Sequence, residues 1–243
     1  MTRVLQWNSA RCLGGAEFRT LELTECFLAK GYEVFIVCRK NSLLEQKIIQ
    51  KKLCYINFVT YLDEFFKTLF FVIKWKPKII HVHTGRDYNI ALIIGLLTST
   101  PVIIHRRLMS KVSLITSFFI KILKRSKIIA ISNKVRDVLI KENNFKEDKI
   151  EVIYNAIPKE RLKVNLKKVE ELEKIFNKKN KKIIVSVGNL YPTKGFDELI
   201  KVSKVLKNKI ENLLVLIVGE GKEREKLNNL IELYELQSTV YLL

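Results

Sequence analysis

Several features are missing from this chain of 243 residues, and each absence removes a class of protein. Its apolar runs, such as Ile90 to Leu97, are too short to span a bilayer. The first residues, MTRVLQWNSARCLGG, have no apolar h-region, so no secretion leader is expected. The four cysteines (Cys12, Cys26, Cys38, Cys54) show no CxxC spacing and fall in the first quarter, which argues against a zinc ribbon or disulfide scaffold. They read as reduced core residues of a cytosolic protein. No cluster of His, Cys and carboxylates suggests a metal. Acidic residues are scarce beside basic ones, 25 against 44, for a net charge of +19. That field attracts nucleic acid, anionic membrane or phosphorylated small molecules alike. Helix-turn-helix spacing, zinc fingers and RRM-type aromatics are all absent, so no nucleic-acid partner is expected. Part of the surplus is simply lysine on a solvated helix face, as in Lys167 to Lys182.

What is present is a hydrophobic content of 48%, enough to bury a sizeable core. Short apolar runs alternate with amphipathic stretches: RVLQWN, EVFIVC, a strand near Tyr55 to Thr60, IIHVH, PVIIH, IIAIS and IEVI. Such continuous apolar strands between helices predict a parallel sheet covered on both faces, an α/β fold. The rhythm breaks after Asn155 and restarts at KIIVSV. Expected boundaries are therefore a Rossmann-like domain at 1–158, a charged helical linker at 159–181 and a partial second Rossmann-like domain at 182–243.

Val187 to Ile200, VGNLYPTKGFDELI, reads as a strand end, a turn and a helix opening at Gly195. The free N–H groups of that helix suit a phosphate, and Lys194 stands beside them; the plain alternative is an α/β turn with Pro192 and Gly195 as punctuation. His81 and His83 in IIHVH fall on one strand face, either as structural residues or as substrate contacts. His83 lies at the strand's C-terminal end, where open α/β sheets bind ligands. The TGRD turn that follows, with Arg86 and Asp87, is expected to face an acceptor.

The motifs GGAE (Gly14 to Glu17), KGYEV, KPKIIHVHTGRDY, IIAISNKVRDVL, VIYNAIP, VGNLYPTKGFDELI and LLVLIVGEGKEREKL occur in an order that resembles the retaining, nucleotide-sugar-dependent glycosyltransferases of GT-B fold (glycosyltransferase family 4, group 1 type). The resemblance covers essentially the whole chain. It implies a donor-binding second domain, with Lys194 at the Lys position of a diphosphate-binding turn, Asn189 where the family has Arg, and Gly219, Glu220 and Gly221 as a second nucleotide-side loop. Gly14 and Gly15 would face the donor phosphates from the first domain. A family His near the transferred sugar maps onto Arg107, six residues after Pro101, with His105 two residues earlier. Arg107 would hold an anionic acceptor or the donor phosphates; for His105 the alternatives are a catalytic residue and a structural strand-end histidine.

The resemblance implies no metal and no cofactor beyond the nucleotide-diphosphate sugar, and an acceptor that is a cell-envelope glycan or lipid-linked. Arg106 to Lys127 carries seven basic and no acidic residues around an apolar stretch, which suits the inner face of an anionic membrane; its apolar side is expected to pack on the sheet. The family's later helix, strand and paired glutamates have no counterpart after VYLL. The expectation is thus a C-terminally truncated member whose own turnover is in doubt, the alternative being a degenerate, non-catalytic binding protein.

Overall fold

A computed structural model describes residues 1–157, 159–176 and 181–243. Pro158, the last residue of the expected first domain, and residues 177–180 of the expected linker lie outside them. The chain divides into two compact units, Met1–Ala156 and Ile157–Leu243.

The first unit is a parallel sheet of seven strands: β1 (Arg3–Trp7), β2 (Glu33–Arg39), β3 (Tyr55–Phe58), β4 (Ile79–Val82), β5 (Val102–Arg106), β6 (Lys127–Ala130) and β7 (Ile150–Val152). Their order is β3-β2-β1-β4-β5-β6-β7. The chain lays down β1 to β3 in one direction, returns through α3 (Tyr61–Trp75), and adds β4 to β7 in the other. The order therefore reverses between β1 and β4, where the loops at the strands' C-terminal ends part and leave room for a ligand. One layer of core, with Leu5, Ile80, Val82, Leu92, Ile104 and Ile120, lies beneath α3, α4 (Tyr88–Thr98) and α5 (Leu114–Ile122). A smaller one, with Leu21, Ile36, Cys38, Leu44 and Ile48, packs under α1 (Gly15–Ala29) and α2 (Leu43–Gln50). α6 (Asn133–Asn143) completes the unit's α-helices among the described residues.

Three expectations need correction. Of the cysteines only Cys38 is buried, its thiol pushed up to about 12 by burial and then by Glu45; Cys12, Cys26 and Cys54 are exposed, because an apolar segment on a helix or loop still has an outer side. In the stretch Arg106 to Lys127, whose apolar side is expected to pack on the sheet, the helix is only α5, starting where Ser113 accepts the Thr116 N–H at 3.2 Å. Only part of its apolar surface packs as expected: Ile120 and Phe119 lie on the core, with Thr116 and Ser117 also buried, while Leu114 (87% exposed), Ile115 (60%) and Phe118 (59%) face outward. Its buried hydroxyl is satisfied, Thr116 Oγ1 donating to Asn89 Oδ1 at 2.7 Å. Lastly, the charged helix read as a linker, α7 (Leu166–Ile175), falls within the second unit, and the Phe176 ring that ends it meets Tyr241 at 5.8 Å.

The second unit is a three-stranded parallel sheet, β8 (Lys182–Val187), β9 (Leu213–Val218) and β10 (Val240–Leu242), in the order β10-β9-β8. α8 (Phe196–Lys207) and α9 (Arg224–Leu233) cover a core of Leu190, Phe196, Ile200, Val215, Ile217 and Leu227. No helix among the described residues is long and apolar enough to cross a membrane.

The orientation of α5 is directly testable. Ile120→Ala is expected to cost about 2–5 kcal/mol in urea unfolding, the usual cost of a buried cavity. Phe118→Ser should change stability by less than about 0.5 kcal/mol.

Candidate active site

The loops at the β1/β4 reversal are joined by one carboxylate. Asp87 is wholly buried at the start of α4. It accepts the Ser9 N–H at 2.9 Å on Oδ2, and also takes the hydroxyls of Ser9 and Thr84. Ser9 follows β1 and Thr84 follows β4, so the carboxylate pins both loops. Burial raises the Asp87 pKa, and these hydrogen bonds oppose the rise. Asp87 is thus enclosed rather than presented to an acceptor, whereas its neighbour Arg86 is exposed, with its guanidinium 4.8 Å from the Tyr61 ring centre.

Three histidines meet beside this pin. β4 and β5 pair with Val82 opposite Ile104, so one step further along brings His83 level with His105. Because alternate residues share a face, His81, His83 and His105 converge on the side away from the Ile80 and Val82 core. His81 Nε2 lies 3.3 Å from His105 Nδ1, and the His81 and His83 ring centres are 4.3 Å apart. Arg107 donates to the His83 carbonyl at 3.0 Å and approaches His83 Nδ1 at 3.1 Å. Since a guanidinium only donates, Nδ1 must carry a lone pair; the ring proton then sits on Nε2, which donates to Gln6 Oε1 on β1. Burial is the main cause holding all three imidazoles neutral, with Arg107 adding to it: His81 and His105 fall to about 3, and His83 is lowered well below its ordinary value.

One nitrogen from each histidine lies within 4.8 Å of the others, as a metal would require. The bonding argues against that use. Both His83 nitrogens are engaged, and the charge of Arg107 would repel a cation. His105 Nε2 is buried and has no hydrogen-bond partner among the described residues. The sequence suggested His81 and His83 as a pair and His105 alone; only the strand register joins them.

A second buried carboxyl, Glu64, reaches the reversal from α3 and accepts the Trp7 indole N–H at 3.0 Å. Burial, and next the Asp87 charge, raise its pKa to about 7. In the GGAE turn, Glu17 accepts the Gly14 N–H at 2.9 Å and an N–H of the Asn8 side chain at 3.3 Å. The Gly14 amide is therefore already used. Gly15 has open space on its Cβ side, so a ligand can approach the backbone there.

In the second unit, Asn189 and Lys194 are exposed on the loop after β8. Residues Pro192–Lys194 form a single 3₁₀ turn, Gly195 adopts φ +67, and α8 begins at Phe196, one residue later than predicted. Asp197 and Glu198 in its first turn would oppose an anion, but Lys201 pairs with both, at 3.8 and 2.6 Å. The GEG loop packs against this one: the Leu190 N–H donates to the Glu220 carbonyl at 2.9 Å and the Glu223 N–H to the Leu190 carbonyl at 3.1 Å. A Cβ on Gly219, at φ +155, would overlap the Gly188 carbonyl, and one on Gly221 the Leu190 carbonyl. Both glycines thus serve loop packing. Glu220 is paired with Arg224 at 2.8 Å. Lys222, on the loop after β9, is a second exposed cation that the sequence reading passed over.

The family model described as Glycosyltransferase Family 4 matches residues 13–161, more than half of the chain, and that described as Glycosyl transferases group 1 matches residues 167–243. The chain belongs to glycosyltransferase family 4, in the two-sheet GT-B architecture. An uncharacterized glycosyltransferase of Haemophilus influenzae is 43% identical over 63 residues, 26% of this chain and 18% of that protein. The GPI3 subunit of phosphatidylinositol N-acetylglucosaminyltransferase from Saccharomyces cerevisiae is 26% identical over 117 residues, 48% of this chain and 25% of that one. The matches thus span a quarter or less of these relatives' lengths. Anabaena HepE, solved with UDP, superimposes over 100% of this chain and 69% of its own with a TM-score of 0.79 at 16% identity.

Glu64 has a folded pKa above its ordinary 4.5, so its contribution to stability is fully present below about 4.5 and is lost as pH rises through about 7. The histidines run the other way: their contribution is present above 6.5 and is lost as pH falls toward about 3. Glu64→Gln keeps an acceptor for Trp7 and should raise Tm by several degrees at about pH 8, but not at about pH 5, in scanning calorimetry. Gly219→Ala should destabilise the second unit, seen as earlier proteolysis after residue 157 with the first unit still resistant.

Proposed function

We propose that this protein transfers a glycosyl unit from a nucleotide-diphosphate sugar to a hydroxyl of a cell-envelope glycan or lipid-linked acceptor, with retention at the anomeric carbon. The observation that carries the reading is the succession of the two family matches along one chain of GT-B architecture. The solved complexes of HepE with UDP and with UDP-glucose support the same class of donor.

When the glycosyl bond breaks, its electron pair goes to the diphosphate oxygen. The groups suited to that charge are Lys194, Lys222 and the open N-terminus of α8. No resident metal or cofactor is part of this reading. On the first unit the reacting sugar and acceptor belong at the β1/β4 reversal. His105 there offers an unpartnered nitrogen, and Gly15 an open approach. Arg107, spent on His83, positions that imidazole and adds positive potential for an anionic substrate. A neutral imidazole accepts or donates a hydrogen bond but adds no charge, so the histidines orient hydroxyls rather than neutralise phosphate. The protein works at the cytoplasmic face of an anionic membrane, a placement supported by the basic stretch Arg106 to Lys127 and the outward apolar side of α5. A second reading, a non-catalytic binding protein, is favoured by Asn189 in place of an arginine.

Lys194→Ala is expected to weaken UDP binding at least about tenfold in titration calorimetry, the loss of one charge-assisted contact. Unchanged affinity would overturn the donor assignment. His105→Ala should lower sugar transfer with UDP affinity preserved.

A further inference from the structure

A cavity of about 330 Å³ opens at the C-terminal end of β2, between the loop after β1, the turn from β2 into α2 and the residue after β3. Its lining is Arg11, Arg39, Lys40, Asn41, Ser42 and Val59: three cations and no acidic side chain. Arg39 ends β2 with its guanidinium 5.7 Å from the Phe58 ring centre, and its Nε is buried without a partner among the described residues. No salt bridge among the described residues involves Arg11, Arg39 or Lys40. Burial, then the charges of Arg86 and Arg11, hold the Arg39 pKa below its ordinary value against the pull of Glu64.

The carboxylates around the cavity are engaged elsewhere. Glu45 accepts the Asn41 N–H and an N–H of the Asn57 side chain, both at 2.6 Å. Asp63 accepts the Val59 N–H at 2.9 Å and pairs with Lys67 at 3.1 Å. Glu64 accepts the Trp7 indole N–H and is only half ionised near pH 7. The cations therefore repel one another with no acid in the cavity, an arrangement that an anion completes. Ser42 accepts the Glu45 N–H at 3.1 Å, which leaves its own hydroxyl hydrogen to donate into the lining. Val59 is the one apolar residue of that lining, so the cavity suits a hydrated sugar rather than a hydrocarbon chain.

Its place in the sheet says which part of the reaction it serves. β2 pairs with β1, and β1 with β4, so the end of β2 is one strand away from the reversal. At about 4.8 Å per strand the cavity stands roughly 5–10 Å from it, the reach of one or two sugar rings. A sugar that presents a hydroxyl at the reversal thus places a substituent of its own, or of the next ring, among the arginines. The planar fork of arginine matches a carboxylate or a phosphate ester.

We propose that this cavity receives an ionised substituent of the acceptor saccharide, a carboxylate or a phosphate ester, held by Arg39, Arg11 and Lys40, so that the acceptor is an acidic sugar rather than a neutral one. The inference rests on the proposed function and names the substrate class of its acceptor side. Every residue involved lies in the first unit.

The test is a ligand-observed NMR titration of the full chain with glucuronate, glucose monophosphate and glucose. One or both acids should bind at least about tenfold more tightly than glucose, and the tighter one identifies the ionised group. Arg39→Gln should bring that acid to the level of glucose. Arg11→Gln with Lys40→Gln, at exposed positions, should weaken it about fivefold with the fold undisturbed. Lys134→Ala with Lys141→Ala removes charge on α6 instead and should leave it unchanged. Glucose binding as tightly as both acids would overturn the proposal, and so would full binding by the cavity variants or equal loss in the α6 variant. Inorganic phosphate binding as tightly as the better acid would show an adventitious ion only and overturn it too. UDP affinity should survive in the cavity variants; its loss there would assign the arginines to the donor. Wild type that binds UDP but neither acid refutes this inference alone, whereas wild type that binds an acid but no UDP refutes the donor reading alone.

Discussion

Burying a carboxylate is costly, and Asp87 shows what the cost secures. Its oxygens are filled by a backbone N–H and two hydroxyls from the loops after β1 and β4. Those loops border the place where the strand order reverses; the last ladder bond there is the His83 N–H to the Trp7 carbonyl at 2.9 Å, and past it no backbone bond among the described residues holds the two loops together. The side-chain pin does so, and His83 repeats the tie one layer down by donating to Gln6 of β1. The positions of Arg107, His105 and the GGAE turn all depend on this join.

The site uses its charges unequally. Arg107 faces a group of imidazoles that burial keeps neutral, so its charge is not shared by the histidines around it. Glu64 and Asp87, side by side and buried, both sit above their ordinary pKa values. Positive potential at the rim therefore survives although carboxyls lie close beneath it. In the second unit the same outcome is reached by other means: Lys201 draws the two acidic residues of α8 to itself, and Arg224 does so for Glu220.

Much of the fold was legible because apolar runs and helical stretches alternate with clear period, and the parallel α/β reading rests on nothing more. α2 was not anticipated: eight residues are too few for periodicity, although Ser42 followed by Glu45 is a helix-start signal and indeed caps it. The orientation of α5 was illegible for the opposite reason, since both its sides carry apolar residues and only packing decides which is hidden. At the site, the residue types were readable one by one, but the histidine trio depends on the register of β4 against β5, which no local pattern encodes. The packing role of Gly219 and Gly221 depends likewise on a loop about thirty residues away in sequence.

Trp7 gives the molecule a built-in optical probe. It is one of only two tryptophans, fully buried, and its indole N–H is bonded to the carboxyl that changes ionisation near pH 7. It also stands next to Gln6, the acceptor of His83. Its fluorescence therefore follows the electric field at the strand reversal itself, so that ligand entry or proton loss there can be seen as a spectral shift without attaching any label.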